Sequence, residues 1–151
     1  MKNPIHKEKL EKALTKLNNT YATINCGGCG HFAKELGEVL KTKGYKVKYV
    51  LLLLNKSEVE YANKCIKKNE IDILNGLSWA HVMVKTNGKL IDSEGIHNNL
   101  LVYKKRCYAV TLPELFLSTW LTPQYDHNWN STFDRGIVPK IKKVLQKSLV
   151  D

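Results

Sequence analysis

The sequence predicts an α+β domain in which helices pack on a mostly antiparallel sheet. Three observations carry this. Two stretches with helical spacing of apolar residues open the chain. Two strand-like runs, residues 79–86 and 89–92, flank Asn87-Gly88, a dipeptide suited to a two-residue hairpin turn. A final helical stretch follows Val138-Pro139. No internal repeat and no linker rich in Gly, Ser or Pro divides the 151 residues, so a single domain, 1–151, is expected.

The elements follow in order. Pro4, Ile5, Leu10, Ala13, Leu14 and Leu17 mark an amphipathic helix ending near Asn18 and Asn19. Residues 20–28 read as irregular. A second helix begins at or near Cys29, with Phe32, Ala33, Leu36, Val39 and Leu40 on its apolar face, and Gly44 stops it. Residues 46–54 read as a strand, and the unbroken apolar run 49–54 predicts cover on both faces. Residues 57–69 suit a helix around Val59, Ala62 and Ile66. After the Asn-Gly hairpin a further strand is expected over 100–103, over 107–110, or over both. Leu112-Pro113-Glu114 opens a short helix through Phe116 and Leu117. Residues 122–134 read as a surface loop. The last helix buries Ile141, Leu145 and Leu149.

Lysine and arginine number 24 against 14 acidic residues, a formal charge of +10. Such a surface attracts polyanions without a dedicated site. Weak electrostatic nucleic-acid binding is therefore expected, but no arginine-rich recognition helix or zinc-finger spacing accompanies the charge. The longest apolar run is too short to span a bilayer, and no N-terminal run has signal-peptide form, so a cytoplasmic chain without a transmembrane segment is expected. Four cysteines (Cys26, Cys29, Cys65 and Cys107) are sparse for a disulfide scaffold of this length, which predicts free thiols.

Cys29 is the residue to single out. It follows Gly27-Gly28 and opens a helical pattern. A sulfur there faces unpaired N–H groups and the positive end of the helix, which favours thiolate. Gly28 and Gly30 leave room for a substrate carbonyl beside the backbone, and the Cys29 N–H is suited to stabilising an oxyanion. Asn25 and Cys26, just upstream, fit either the wall of that oxyanion pocket or a purely structural loop. Cys26 and Cys29 also form a C-x-x-C. A redox pair of that form belongs at a strand-to-helix junction, and a zinc site needs two further ligands, so neither metal nor cofactor is expected.

The hairpin supplies a base. With Asn87-Gly88 as a two-residue turn, Thr86 pairs with Lys89, Met83 with Asp92 and His81 with Glu94. Alternation then puts His81, Met83, Asp92 and Glu94 on one face. Asp92 is the diagonal neighbour of His81 and Glu94 its direct partner, so either acid can orient the ring. Asp92, behind Leu90-Ile91, is the better buried of the two. Trp79 walls the cleft or fills the core. His31, two residues beyond Cys29 on the helix, points away from the thiol, and His97 lies just beyond the hairpin.

Three segments together resemble the papain-like and transglutaminase-like cysteine enzymes: Asn25-Cys26-Gly27-Gly28-Cys29-Gly30-His31-Phe32-Ala33, Trp79-Ala80-His81-Val82, and Leu90-Ile91-Asp92-Ser93-Glu94-Gly95. The first is also similar to small cysteine-peptidase-like proteins of bacteria and phages. The resemblance spans roughly residues 20–95. It implies a papain-like (cysteine proteinase) fold, a Cys29–His81–Asp92 triad, and thiol chemistry on the amide bond of a peptide or protein substrate, of peptidase, amidase or deamidase type. The chain departs from papain where Gly30, not an aromatic, follows Cys29, and where no glutamine precedes the thiol, the first being Gln124. The oxyanion donor is thus left open. The alternative is a non-catalytic basic binding protein, phage-encoded, that keeps the fold.

Overall fold

The computed structural model describes residues 7–21, 28–97, 101–102, 105–122, 124–125 and 135–149. Its first element, α1 (Lys7–Thr20), buries Leu10, Ala13, Leu14 and Leu17, the stripe that the apolar spacing requires. Next comes α2 (Cys29–Thr42), which buries Phe32, Ala33, Leu36, Val39 and Leu40. Gly44, at φ 90°, ends it in a conformation that residues with a Cβ rarely adopt.

Strand β1 (Lys48–Leu53) is buried along five of its six residues. Tyr49, Leu51 and Leu53 enter the main core with α1 and α2, while Val50 and Leu52 enter a smaller cluster with Met83, Leu90 and Cys107. The unbroken apolar run therefore does reflect cover on both faces. A 3-10 turn, Lys56–Glu58, leads into α3 (Val59–Lys67), and a second one covers Ile71–Gly76.

Strands β2 (Trp79–Thr86) and β3 (Lys89–Asp92) form the expected hairpin. Asn87 and Gly88 both have positive φ, 51° and 73°, which gives the turn a twist matching the strands. The pairs Thr86–Lys89, Lys85–Leu90 and Val84–Ile91 follow the register that this turn dictates. A second tight turn at Ser93-Glu94 leads into β4 (Gly95–His97), a strand that the sequence pattern did not show. Beyond it lie β5 (Leu101–Val102), β6 (Lys105–Arg106) and β7 (Tyr108–Leu112), so both alternatives for the later strands are occupied, the first only as a two-residue piece. The order β4-β3-β2-β1-β7 makes one antiparallel five-stranded sheet, and β5 pairs with β6 separately.

Helices α4 (Glu114–Trp120) and α5 (Val138–Ser148) complete the α+β fold. Ile141 and Leu145 of α5 face the main core, and Lys142 Nζ donates to Glu38 on α2 at 3.0 Å. Of the expected loop over 122–134, residues 123 and 126–134 lie outside the described residues. Among the described residues, no helix is long and apolar enough to cross a membrane.

The placement of α2 on the sheet depends on Gly37. A Cβ built there would collide with the phenol ring of Tyr49 on β1. Alanine at this position is favoured by helix propensity, yet it must force the helix off the strand. Gly37→Ala is expected to destabilise the fold by about 1–3 kcal/mol, the usual cost of overpacking. A fall in the thermal midpoint checks this.

Candidate active site

Cys29 is the first residue of α2, and the buried Gly28 is its N-cap. The Gly28 carbonyl accepts the first helical bond, from Phe32 N–H at 2.9 Å. The N–H groups of Cys29 and Gly30, in the opening turn, have no carbonyl one turn earlier within the helix. A Cβ at Gly30 would approach the tip of the Leu121 side chain, Cδ2, to 2.8 Å. The helix mouth is thus pressed against the end of α4. The Cys29 thiol is free and partly buried, against the main core.

His81 comes from β2. Its Nε2 lies 2.8 Å from Asp92 Oδ2, and both side chains are largely buried, 14% and 8% exposed. Cys29 lies close enough to the same imidazole to act on its pKa through hydrogen bonding and charge. Since Nε2 is engaged with Asp92, Nδ1 is the ring nitrogen left to exchange a proton with a thiol. Thiol, imidazole and carboxylate are thus brought to one region from α2, β2 and β3.

Asp92 is held from three sides. Oδ2 meets His81, while Oδ1 meets His97 Nε2 at 2.8 Å and accepts the Glu94 backbone N–H at 2.8 Å. The turn beside it is tied to α1, because Asn18 Nδ2 donates to the Ser93 carbonyl at 2.7 Å. Burial alone would raise the Asp92 carboxyl, but the hydrogen bonds and charges of the two histidines outweigh it and hold the group below its ordinary range. For His81, burial acts to lower the pKa. The bonds to Asp92 and Cys29, with the negative charge each partner carries when ionised, more than reverse this, and the ring is pushed up to about 10.

The contacts resolve the choice between the two acids. The Glu94 side chain is exposed, and only its backbone serves the site. The reason is the turn: Asp92 pairs with Gly95 across it, so Glu94 occupies the tip rather than continuing a strand opposite His81. The uninterrupted pairing of Val50 with Met83 and of Leu52 with His81 keeps the expected alternation of His81 and Met83, and Met83 packs in the smaller cluster with Val50 and Leu52. The β1–β2 register shifts only beyond His81, between Leu52 and Leu53.

Trp79 packs edge-to-face on Trp120, ring centroids 5.4 Å apart, and leans on the main core. His31 is buried within α2. Asn25 and Cys26 lie outside the described residues. Cys65 and Cys107 are buried, and among the described residues no three His, Cys, Asp or Glu side chains are grouped to hold a metal ion.

His97 was missed as a partner of Asp92. The signal was the stretch Asp92-Ser93-Glu94-Gly95, which can be read as a second hairpin turn. With Asp92 opposite Gly95 and Leu90 opposite His97, Asp92 and His97 become diagonal neighbours on one face. Comparison of the chain with protein-family models, with curated proteins and with solved structures gives no match.

Proposed function

We propose that the protein is a thiol-dependent enzyme of the papain-like fold, a hydrolase or acyltransferase acting on an amide bond. The observation that supports this reading most is the imidazole of His81, held at 2.8 Å by buried Asp92 and near enough to Cys29 for the thiol to act on its pKa. The Cys29 thiol gives its proton to His81 Nδ1, and the sulfur attacks a carboxamide carbon to form a tetrahedral oxyanion beside the N–H groups of the α2 mouth. The C–N bond then breaks. The leaving amine takes the proton from His81 Nδ1, and a thioester to Cys29 remains. Water attacks the thioester with Nδ1 accepting its proton, and the carboxylic acid leaves as the thiol is restored. An amine in place of that water gives acyl transfer. Asp92 keeps Nε2 protonated and steadies the imidazolium.

Peptide and glutamine-like acyl electrophiles test the proposal, with mass spectrometry to locate the adduct. The expected adduct is on Cys29, is absent in Cys29→Ser, and persists in Cys26→Ala. Labelling spread evenly over Cys29 and Cys26, and insensitive to His81→Ala, would overturn it. The formal charge of +10 supports a second reading, a basic binding protein without catalysis. That reading predicts tight nucleic-acid binding unchanged by Cys29→Ala and resistant to moderate salt.

A further inference from the structure

A pocket of about 630 Å³ lies between α3 and the β6–β7 segment, apart from Cys29, His81 and Asp92. Its size is typical of a ligand site. Val59, Cys107, Tyr108 and Ala109 give it mainly apolar walls, and Lys56, Lys67 and Arg106 stand around them. All three cations are exposed. The one carboxylate in the lining, Glu60, pairs with a fourth cation, Lys64, at 3.5 Å. Lys56 and Lys67 have no carboxylate within ion-pair distance among the described residues. The site therefore combines unspent positive charge with apolar surface.

The sheet register relates this pocket to the candidate triad. Leu52 of β1 lies opposite His81 on one side and Ala109 on the other. Two inter-strand steps separate the pocket wall from His81, about 10 Å. An extended peptide covers that distance in about three residues.

We infer that this pocket binds an acidic segment of a peptide or protein, with its carboxylates on Lys56, Lys67 and Arg106 and an apolar side chain against Val59 and Tyr108. As a substrate subsite, which rests on the reading of Cys29 as the nucleophile, it selects substrates with acidic residues about three positions from the attacked amide. A single-stranded nucleic acid fits less well. Bases need successive aromatic faces, and the lining has one aromatic, Tyr108, whose ring already lies under Arg106 at 6.0 Å.

The test is fluorescence anisotropy on the full chain at about 0.15 M salt, where long-range attraction is screened. The probe is a fluorescein-labelled peptide containing four glutamates and two leucines. Lys56→Gln/Lys67→Gln/Arg106→Gln is expected to weaken its binding by about tenfold, and a charge-matched control, Lys12→Gln/Lys16→Gln/Lys143→Gln, by no more than about twofold. Equal weakening in both would overturn the inference as a general charge effect. An oligothymidine that binds more tightly than the peptide, and is lost in the pocket variant alone, would overturn it in favour of nucleic acid. The Cys29 adduct separates the two proposals. Peptide binding at the pocket with an inert Cys29 defeats only the enzymatic reading, and a reactive Cys29 with pocket-independent binding defeats only this one.

Discussion

Alanine at His81 is expected to slow acylation of Cys29 by an amide-type probe by about 10³-fold, within the range for loss of a general acid–base. In the proposed mechanism the imidazole holds the proton that the thiol gives up and passes it to the leaving amine. Its pKa, pushed up to about 10, keeps it charged at neutral pH. The rate of the native protein should hold through neutral pH and fall as pH rises past about 10, where the imidazolium loses its proton. That alkaline limb is set by the His81 proton. It should be missing from the residual activity of His81→Ala, and a pH–rate profile of the two proteins reads this directly.

The same group makes stability depend on pH. The folded pKa lies above the ordinary imidazole value of 6.5. The native state therefore holds the proton more tightly than the unfolded chain. This contribution is fully present below about 6.5 and is lost as pH rises towards about 10. Thermal midpoints of the native protein and His81→Ala should converge over that window. Parallel curves would show that His81 is not held as an imidazolium.

Asp92→Ala is expected to have the largest effect on stability. The change leaves two histidines and the Glu94 N–H without their acceptor in a largely buried position. Removing one partner of a buried ionic group costs about 3 kcal/mol or more. For a chain of this length that is a fall of roughly 6–12 °C in the thermal midpoint. Here the sign is opposite to that of His81. The carboxyl is held below its ordinary value of 3.8, so its contribution is present above that pH and is lost as pH falls through the depressed value. The gap between native and variant midpoints should thus close in acid. Asp92→Asn is the sharper functional probe. It keeps the shape but forfeits the charge that steadies the imidazolium, and should reduce acylation by about 10³-fold. His97→Ala removes one of three donors to Asp92 and should have a smaller effect on both readouts.

The difference between these two residues shows what could be read in advance. The hairpin turn was legible because Asn87 and Gly88 both tolerate positive φ, and a two-residue turn leaves only one register. Cys29 at a helix start followed from the Gly-Gly sequence before a helical apolar pattern. Strand β4 was not legible, because three residues beginning with a glycine at φ 139° carry no alternation to detect. Without β4 there was no reason to bring His97 to Asp92, and no way to see that Glu94 would be carried to the tip of a turn. The β1–β2 irregularity was hidden for a related reason: a register shift arises from pairing between strands, and neither strand shows it alone.

By itself, then, the sequence determined the helices, the main hairpin and the three residue types able to do thiol chemistry, since each depends on local periodicity or on the backbone freedom of a few residues. Only the tertiary structure decided that Asp92 carries two histidines, that α1 holds the turn beside it, and that a cationic pocket opens between α3 and β7. Those features are contacts between segments far apart in the chain, and their geometry is set by packing, which no local pattern encodes.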